Sequence, residues 1–374
     1  MTNNGFSISL QQVNTQVVIR VKNISGTYCR VLKWHTILDY PYVHGFIVNR
    51  NEQASAYIGP YFKRLFDSSI SLVEFAPDQE IKLEYELADI LGEFELGELR
   101  ADDQIRIGVA QDYFEVYDAE ASLIEGAEAF YRVPAESDAL ILQGAFVLNF
   151  IEKKSDGGID SSNLSIASES IALCVIGHNN GYEQVGPTSR FIVGYPVTAN
   201  LNGPAIRQIN LAVKEIFNFL TFTFRNVENN AHYKRWFGTF SEANRQKVYN
   251  TIKSLNRGAC PSYIVYDGSR TSLCTGDTYA FIRYNRDYND HPKQCSQAEH
   301  FCHQLFLCSL FWKRPLKGEN SQVGIFLHEL SHGYAYTKDH AYGKVKCIEL
   351  AKKSPQTAIE NADNIEYYLE ELIR

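Results

Sequence analysis

Several things are scarce in this sequence, and each absence narrows the field. There is no basic excess: 36 Lys and Arg stand against 44 Asp and Glu, for a formal net charge of −8. Nucleic-acid binders carry a basic face, so the balance argues against that class. No apolar run approaches the roughly 20 residues of a membrane-crossing helix, and no membrane partner is expected. The opening MTNNGFSISLQQ lacks a basic n-region and an apolar h-region, so no secretory signal is visible there. Methionine occurs once. Internal repeats and low-complexity tracts are missing, which excludes a solenoid. Cysteine is sparse in the first 200 residues, with only Cys29 and Cys174. Six more crowd a later stretch: Cys260, Cys274, Cys295, Cys302, Cys308 and Cys347. That crowding suggests disulfides and an oxidising compartment, hence a secreted protein whose signal was removed; a cytoplasmic protein with scattered buried thiols is the alternative.

What is present points to more than one domain. The chain has 374 residues and is 45% hydrophobic, enough for real cores. Its acidity is uneven: residues 1–130 hold 10 Lys and Arg against 20 Asp and Glu, and the remainder 26 against 24. The asymmetry serves solubility, or docking between parts of one chain. Seven stretches, FSISLQQ, TQVVIRVKNI, YCRVLKW, HGFIVNR, SISLVEF, EIKLEYEL and DQIRIGVAQDYFEVYD, read as strands separated by turn chemistry. They predict an antiparallel β-sandwich of immunoglobulin type over residues 1–130. Residues 131–203 read as a linking segment with further strands (ALILQGAFVLNFIEKK, ESIALCVIG) and a polar loop, EKKSDGGIDSSN.

From residue 204 the period changes to 3.6. Helices are expected in GPAIRQINLAVKEIFNFLTFTF, in SEANRQKVYNTIKSLNR with Ser241 as N-cap, in SQVGIFLHELSHGYAY, in KVKCIELAKK and in NADNIEYYLEELIR. PSYIVYD and YAFIRYN read as two short strands, so residues 204–374 form a mainly α, α+β domain.

The third of those helices carries HELSH. Residues four apart share a helix face, so His328 and His332 can offer two imidazole nitrogens to one zinc ion. Glu329 lies on the adjacent flank, suited to a water beside the metal. A third ligand has to come from elsewhere. A third histidine six residues after His332 would complete one known pattern, but Lys338 stands there and His340 is out of step. Glu349, Glu360, Glu366 and Asp339 are the carboxylate candidates, with Asp339 the nearest.

TKDHAYG (337–343) resembles the signature GTxDxxYG of the deuterolysin-type metalloendopeptidases, the aspzincins. AKKSPQTAIENADNIEY (351–367), YKRWFGTF (233–240) and LCSLFWKRP (307–315) are similar to the peptidyl-Lys metalloendopeptidase branch of that family. VLKWHTILD and YIGPYFKR resemble the pro-region of such enzymes. The resemblance implies one zinc ion held by His328, His332 and Asp339, with Glu329 as general base and Tyr342 as hydrogen-bond donor to the oxyanion. It implies that Asp363 and Glu366, three apart on one helical face, form the pocket for a lysine after the scissile bond. It implies a disulfide between Cys274 and Cys308; Cys295 and Cys302 lie in an apparent insertion and are candidates to pair with each other. One departure stands out: the family's glycine before the threonine is Tyr336 here, so the turn after the helix must differ.

The expected protein is therefore a zinc endopeptidase cleaving on the amino side of lysine, monomeric, and latent under an intramolecular pro-domain. Lys153 and Lys154 are candidate self-cleavage sites. The alternative is a non-catalytic binding protein with a structural zinc, closed by a fourth ligand such as His340 or His303.

Overall fold

In the computed structural model, residues 5–34, 36–65, 71–110, 113–117, 129–132, 139–143, 146–147, 197–199, 201–223, 227–258, 263–269, 271–284 and 303–373 are described. The chain divides into two compact units. One comprises Met1–Pro60 and Phe66–Asn163, the other Tyr61–Leu65 and Leu164–Arg374.

The first unit is β-rich, as its alternating residues require. In β1 (Phe6–Val13), Phe6, Ile8 and Leu10 are buried while Ser7 and Gln11 face solvent, a period of two. β2 (Gln16–Asn23), β3 (Cys29–Leu32), β4 (Phe46–Arg50) and β5 (Gln53–Ala54) follow. β6 (Tyr61–Arg64) belongs to the second unit. Then come β7 (Leu72–Phe75), β8 (Glu80–Glu86), helix α1 (Leu87–Gly92), β9 (Gln104–Val109), β10 (Tyr113–Tyr117), β11 (Ala129–Arg132) and β12 (Leu140–Gln143). The described strands form three sheets, ordered β1-β2-β8, β11-β10-β3-β7 and β12-β9-β4-β5. A two-sheet immunoglobulin arrangement would divide them differently. The stretch expected as one long strand, DQIRIGVAQDYFEVYD, is two: β9 pairs with β4 and β12, whereas β10 pairs with β3 and β11. Phe6, Phe75 and Phe114 meet edge to face, with Phe6 at 5.1 Å from each of the other two, in the core.

The second unit is one mixed sheet under helices. β13 (Val197–Ala199), β14 (Tyr263–Asp267) and β16 (His303–Leu307) run parallel, and β15 (Thr278–Tyr284) is antiparallel to β16. The order is β13-β14-β16-β15-β6, which puts β6 on the edge beside β15. The helices are α2 (Gly203–Thr223), α3 (Ala231–Phe237), α4 (Glu242–Gly258), α5 (Gln322–Ala335), α6 (Lys344–Lys353), α7 (Pro355–Ile359) and α8 (Ala362–Leu372). α5 is buried all round from Gln322 to Gly333, which makes it the axis of the unit. Val323, Ile325, Phe326, Leu327 and Leu330 of α5 share one core with Ile282, Leu305, Ile365 and Leu369.

The structure pairs Cys274 with Cys308, at a Cα separation of 5.3 Å. Cys29 and Cys347 are buried free thiols. Cys295, Cys302, Lys153 and Lys154 lie outside the described residues.

Candidate metal centre

The start of α5 is fixed by Ser321, whose hydroxyl accepts from the Gly324 amide at 3.0 Å, an N-cap. Seven residues on, the helix brings His328 and His332 onto one buried face. Their Nε2 atoms lie 3.1 Å apart. Asp339 Oδ1 stands 3.2 Å from His328 Nε2 and 3.3 Å from His332 Nε2.

How a carboxylate four residues beyond the helix returns to it is answered by the turn. Tyr336 closes α5 in the left-handed region, with φ 56° and ψ 32°. That is the conformation glycine adopts most easily at a helix end, and a tyrosine there costs about 1 kcal/mol. The tyrosine that departs from the family signature is therefore accommodated in a left-handed backbone conformation. Ser331 Oγ and Thr337 Oγ1 are 2.5 Å apart, and His332 Nδ1 donates to the Thr337 carbonyl at 2.8 Å. That bond orients the ring, with His332 Nε2 toward His328 and Asp339. Beyond the turn, Asn361 holds the loop: its Oδ1 accepts from the amides of His340 (2.7 Å) and Ala341 (3.1 Å), and its amide donates to Ala341 O. Lys338 pairs with Glu360 and Ala362 through its backbone. Asp339 is thereby aimed inward.

Three donor atoms at mutual distances of 3.1–3.3 Å form one face of a tetrahedron. Zinc–nitrogen and zinc–oxygen bonds near 2.0–2.1 Å put neighbouring ligands about 3.3 Å apart. Asp339 Oδ1 is buried with no hydrogen-bond partner among the described residues. The set fits zinc. Neither His303 nor His340 joins the cluster; His303 packs on Tyr334, ring centroids 5.0 Å apart, so no fourth protein ligand closes it among the described residues.

Glu329 is fully buried beside His328, and burial pushes its carboxyl up to about 8, against the opposing charges of His328 and Lys63. Its Oε2 has no partner among the described residues; its Oε1 accepts from the Lys63 amide at 2.8 Å. Tyr342 is buried and donates its hydroxyl to the Phe62 carbonyl at 2.7 Å. Burial, then the charge of Asp339, holds that phenol well above its usual range, so it stays a donor.

Behind His328 lies a second acidic group. Asp363 Oδ1 is 2.9 Å and Glu366 Oε2 3.3 Å from His328 Nδ1. Both carboxylates reach the Lys63 ammonium, at 2.8 Å from Asp363 and 2.7 Å from Glu366. Burial alone would strip the proton from Lys63; the two carboxylates outweigh it and hold the amine charged. Asp363 Oδ2 also accepts from the Gly343 amide at 2.8 Å. Gly324 faces this pocket from α5, and a Cβ there would overlap Glu370 Oε1.

The family of aspzincins, described as lysine-specific metallo-endopeptidases, matches residues 222–370. A peptidyl-Lys metalloendopeptidase of Pleurotus ostreatus is 30% identical over 158 residues, 41% of this chain and 81% of that protein. The chain belongs to the aspzincin family. It is a zinc metalloendopeptidase, and its substrates are peptides. A peptidyl-Lys metalloendopeptidase of Grifola frondosa is 33% identical over 141 residues, 37% of this chain and 35% of the relative. An extracellular protease of Aeromonas hydrophila is 28% identical over 144 residues, 38% of this aspzincin and 36% of the relative.

All seven residues expected at the site, His328, Glu329, His332, Asp339, Tyr342, Asp363 and Glu366, come together in this aspzincin. Glu349 and Glu360 do not join the donor cluster. Reading the sequence missed Asn361, whose role appears only once the loop and α8 meet. It also missed Phe62 and Lys63, some 270 residues upstream. The one signal for Lys63 was chemical: a pocket expected to hold lysine, and a lysine within YFKR.

Proposed function

We propose that this aspzincin hydrolyses peptide bonds on the amino side of lysine, with His328, His332 and Asp339 as zinc ligands. The observation that carries the reading is the buried pair Asp363 and Glu366, which stands against a candidate ligand histidine and closes on an ammonium at 2.8 and 2.7 Å. Bound zinc supplies Lewis acidity, which makes water a nucleophile near neutral pH and polarises the substrate carbonyl. Glu329 takes the water proton and passes it to the leaving amine. Tyr342 donates to the oxygen that gains negative charge. Asp363 does two things: it orients His328 through Nδ1 and it neutralises the substrate lysine.

A digest of a peptide library by the zinc-loaded protein tests this. New N-termini should begin with lysine; cleavage without lysine preference would refute it. Glu329→Gln should keep its zinc and lose turnover, whereas a structural zinc site would show no functional change.

The β-rich first unit is read as a pro-domain, and the full chain as a latent, monomeric form. The Cys274–Cys308 disulfide supports an oxidising, extracellular destination, as does the name of the Aeromonas relative.

A further inference from the structure

Tyr61–Leu65 is the part of the second unit that metal chemistry leaves unexplained. It lies far upstream of the stretch shared with the family, residues 222–370, and the residues before and after it in the chain belong to the first unit. It forms β6, antiparallel to β15, with Tyr61 opposite Ile282 and Phe62 opposite Phe281. Adding an extended segment to a sheet edge is a common way to bind a peptide, because main-chain pairing holds any sequence and pockets select side chains.

The side chains of this segment are placed as a substrate's would be. Lys63 fills the carboxylate pocket, and its Nζ stands over the Tyr367 ring, 5.1 Å from the centroid. Tyr61 stacks on His332, ring centroids 4.6 Å apart. The Leu65 amide donates to Asp277 O at 2.6 Å. The two sides of one peptide bond are also engaged. Tyr342 donates to the Phe62 carbonyl oxygen at 2.7 Å, and the Lys63 amide donates to Glu329 at 2.8 Å. A structural ion pair needs only the ammonium. It does not require the preceding carbonyl to meet the oxyanion donor and the amide to meet the general base.

We propose that Phe62–Lys63 is a self-processing bond: Tyr61–Leu65 is bound as the enzyme's own substrate, and the zinc-loaded chain hydrolyses it between Phe62 and Lys63. This rests on the lysine-directed reading above. Water is the only co-reactant. Its oxygen bonds to the Phe62 carbonyl carbon while Glu329 takes one of its protons. The carbonyl electron pair moves onto the oxygen beside Tyr342. That pair returns, the C–N bond breaks, and the proton held by Glu329 goes to the Lys63 nitrogen. The products are a Phe62 carboxyl group, which gives its remaining proton to solvent, and a free amine on Lys63. Until that cut, the Lys63 ammonium occupies the place that a substrate lysine needs, so the same five residues block the site.

The full chain, purified without metal, is loaded with zinc and followed by intact mass and N-terminal sequencing, alongside a lysine-containing reporter peptide. The expected result is a new N-terminus reading Lys63-Arg64-Leu65, with a half-time unchanged by tenfold dilution, and no such cut in Lys63→Ala or Glu329→Gln. A chain that stays whole at this bond while it, or Lys63→Ala, cuts the reporter overturns self-processing and leaves the lysine reading standing. A chain that cuts neither itself nor the reporter, with Lys63→Ala equally inert, overturns both. A metal-independent readout is hydrogen exchange in the zinc-free chain. Amides of 61–65 should be protected, and Lys63→Ala should speed their exchange at least tenfold; free-peptide rates in the unsubstituted chain would overturn the proposal.

Discussion

Replacing Glu366 by glutamine should cost activity on lysine and on nothing else. Glu366 Oε2 lies 2.7 Å from the ammonium and is fully buried, an ion pair between two desolvated charges. Close charge pairs couple by about 1.5 kcal/mol or more, which at about 1.4 kcal/mol per decade is a loss in kcat/KM of roughly 10-fold or more. The assay compares two peptides that differ after the scissile bond: one carries lysine, the other norleucine, which has the stem without the ammonium. Both are measured in a Lys63→Ala background, so that no internal ammonium competes. Glu366→Gln should lower kcat/KM for lysine by that factor and leave norleucine unchanged or improved, since the pocket then holds one charge fewer. Asp363→Asn should lose a similar factor on lysine, and norleucine should suffer too. Asp363 also braces His328 Nδ1 at 2.9 Å, and loss of such a brace typically weakens metal affinity by about 10- to 100-fold. If Glu366→Gln slows both peptides equally, the pocket does not recognise the ammonium and the argument fails.

Further outcomes follow from the same geometry. Tyr342→Phe should lower kcat by roughly 10²- to 10³-fold, as loss of an oxyanion donor does, with zinc content by elemental analysis unchanged; an unaltered kcat would remove Tyr342 from the chemistry. Lys63→Met keeps the stem and deletes the cation, leaving two buried carboxylates unpaired, so it should lower stability by about 3–5 kcal/mol in urea unfolding. Adding Glu366→Gln should restore part of that, and a Lys63→Met chain as stable as the parent would contradict the pairing. Cys274 and Cys308 close a span of 34 residues, for which loop entropy gives about 4 kcal/mol. The double serine variant should melt correspondingly earlier, and a shift worth under about 1 kcal/mol would count against it. Burial takes His303 from 6.5 down to about 4. The unfolded chain therefore binds a proton that the folded chain refuses. The stability from keeping His303 neutral is fully present above about pH 6.5 and is lost as pH falls toward 4, about 3 kcal/mol in all. His303→Gln should flatten that limb in denaturant midpoints; parallel curves for the two proteins would refute it.

What was legible in the sequence was local. HELSH needs only helical spacing, and SQVGIFLHELSHGYAY is readable as a helix from its period. Asp339 could not be singled out from Glu349, Glu360 and Glu366 by spacing, because its position depends on the left-handed Tyr336 and on Asn361, which sits in another element. β16, HQLFL, was not read as a strand because all five residues are buried. A strand covered on both faces loses the alternation that betrays a half-exposed one. Lys63 was least legible of all. Its neighbours mark it as part of a strand, but pairing with β15 and the meeting with α8 are contacts across more than 200 residues, and no local period encodes them.

On the proposed reading the pocket selects lysine, and it is costly to leave without a cation. Asp363 and Glu366 are both fully buried, and two carboxylates in a low-dielectric interior are poorly solvated and repel each other. Glu370 stands behind Glu366, held by the Ser321 amide at 2.8 Å. Burial first, and then the charge of Glu366, pushes Glu370 up to about 8, so near neutral pH it keeps its proton and adds no third charge. The remaining pair needs a positive partner, and the chain brings its own in Lys63. On that reading, selection for lysine and latency would be two consequences of one arrangement. Any pocket with two buried carboxylates must be filled during folding, and the residue best able to fill it is the one the pocket is built to recognise. A chain that supplies that residue on an extended strand, with its carbonyl and amide engaged, has presented itself for cleavage.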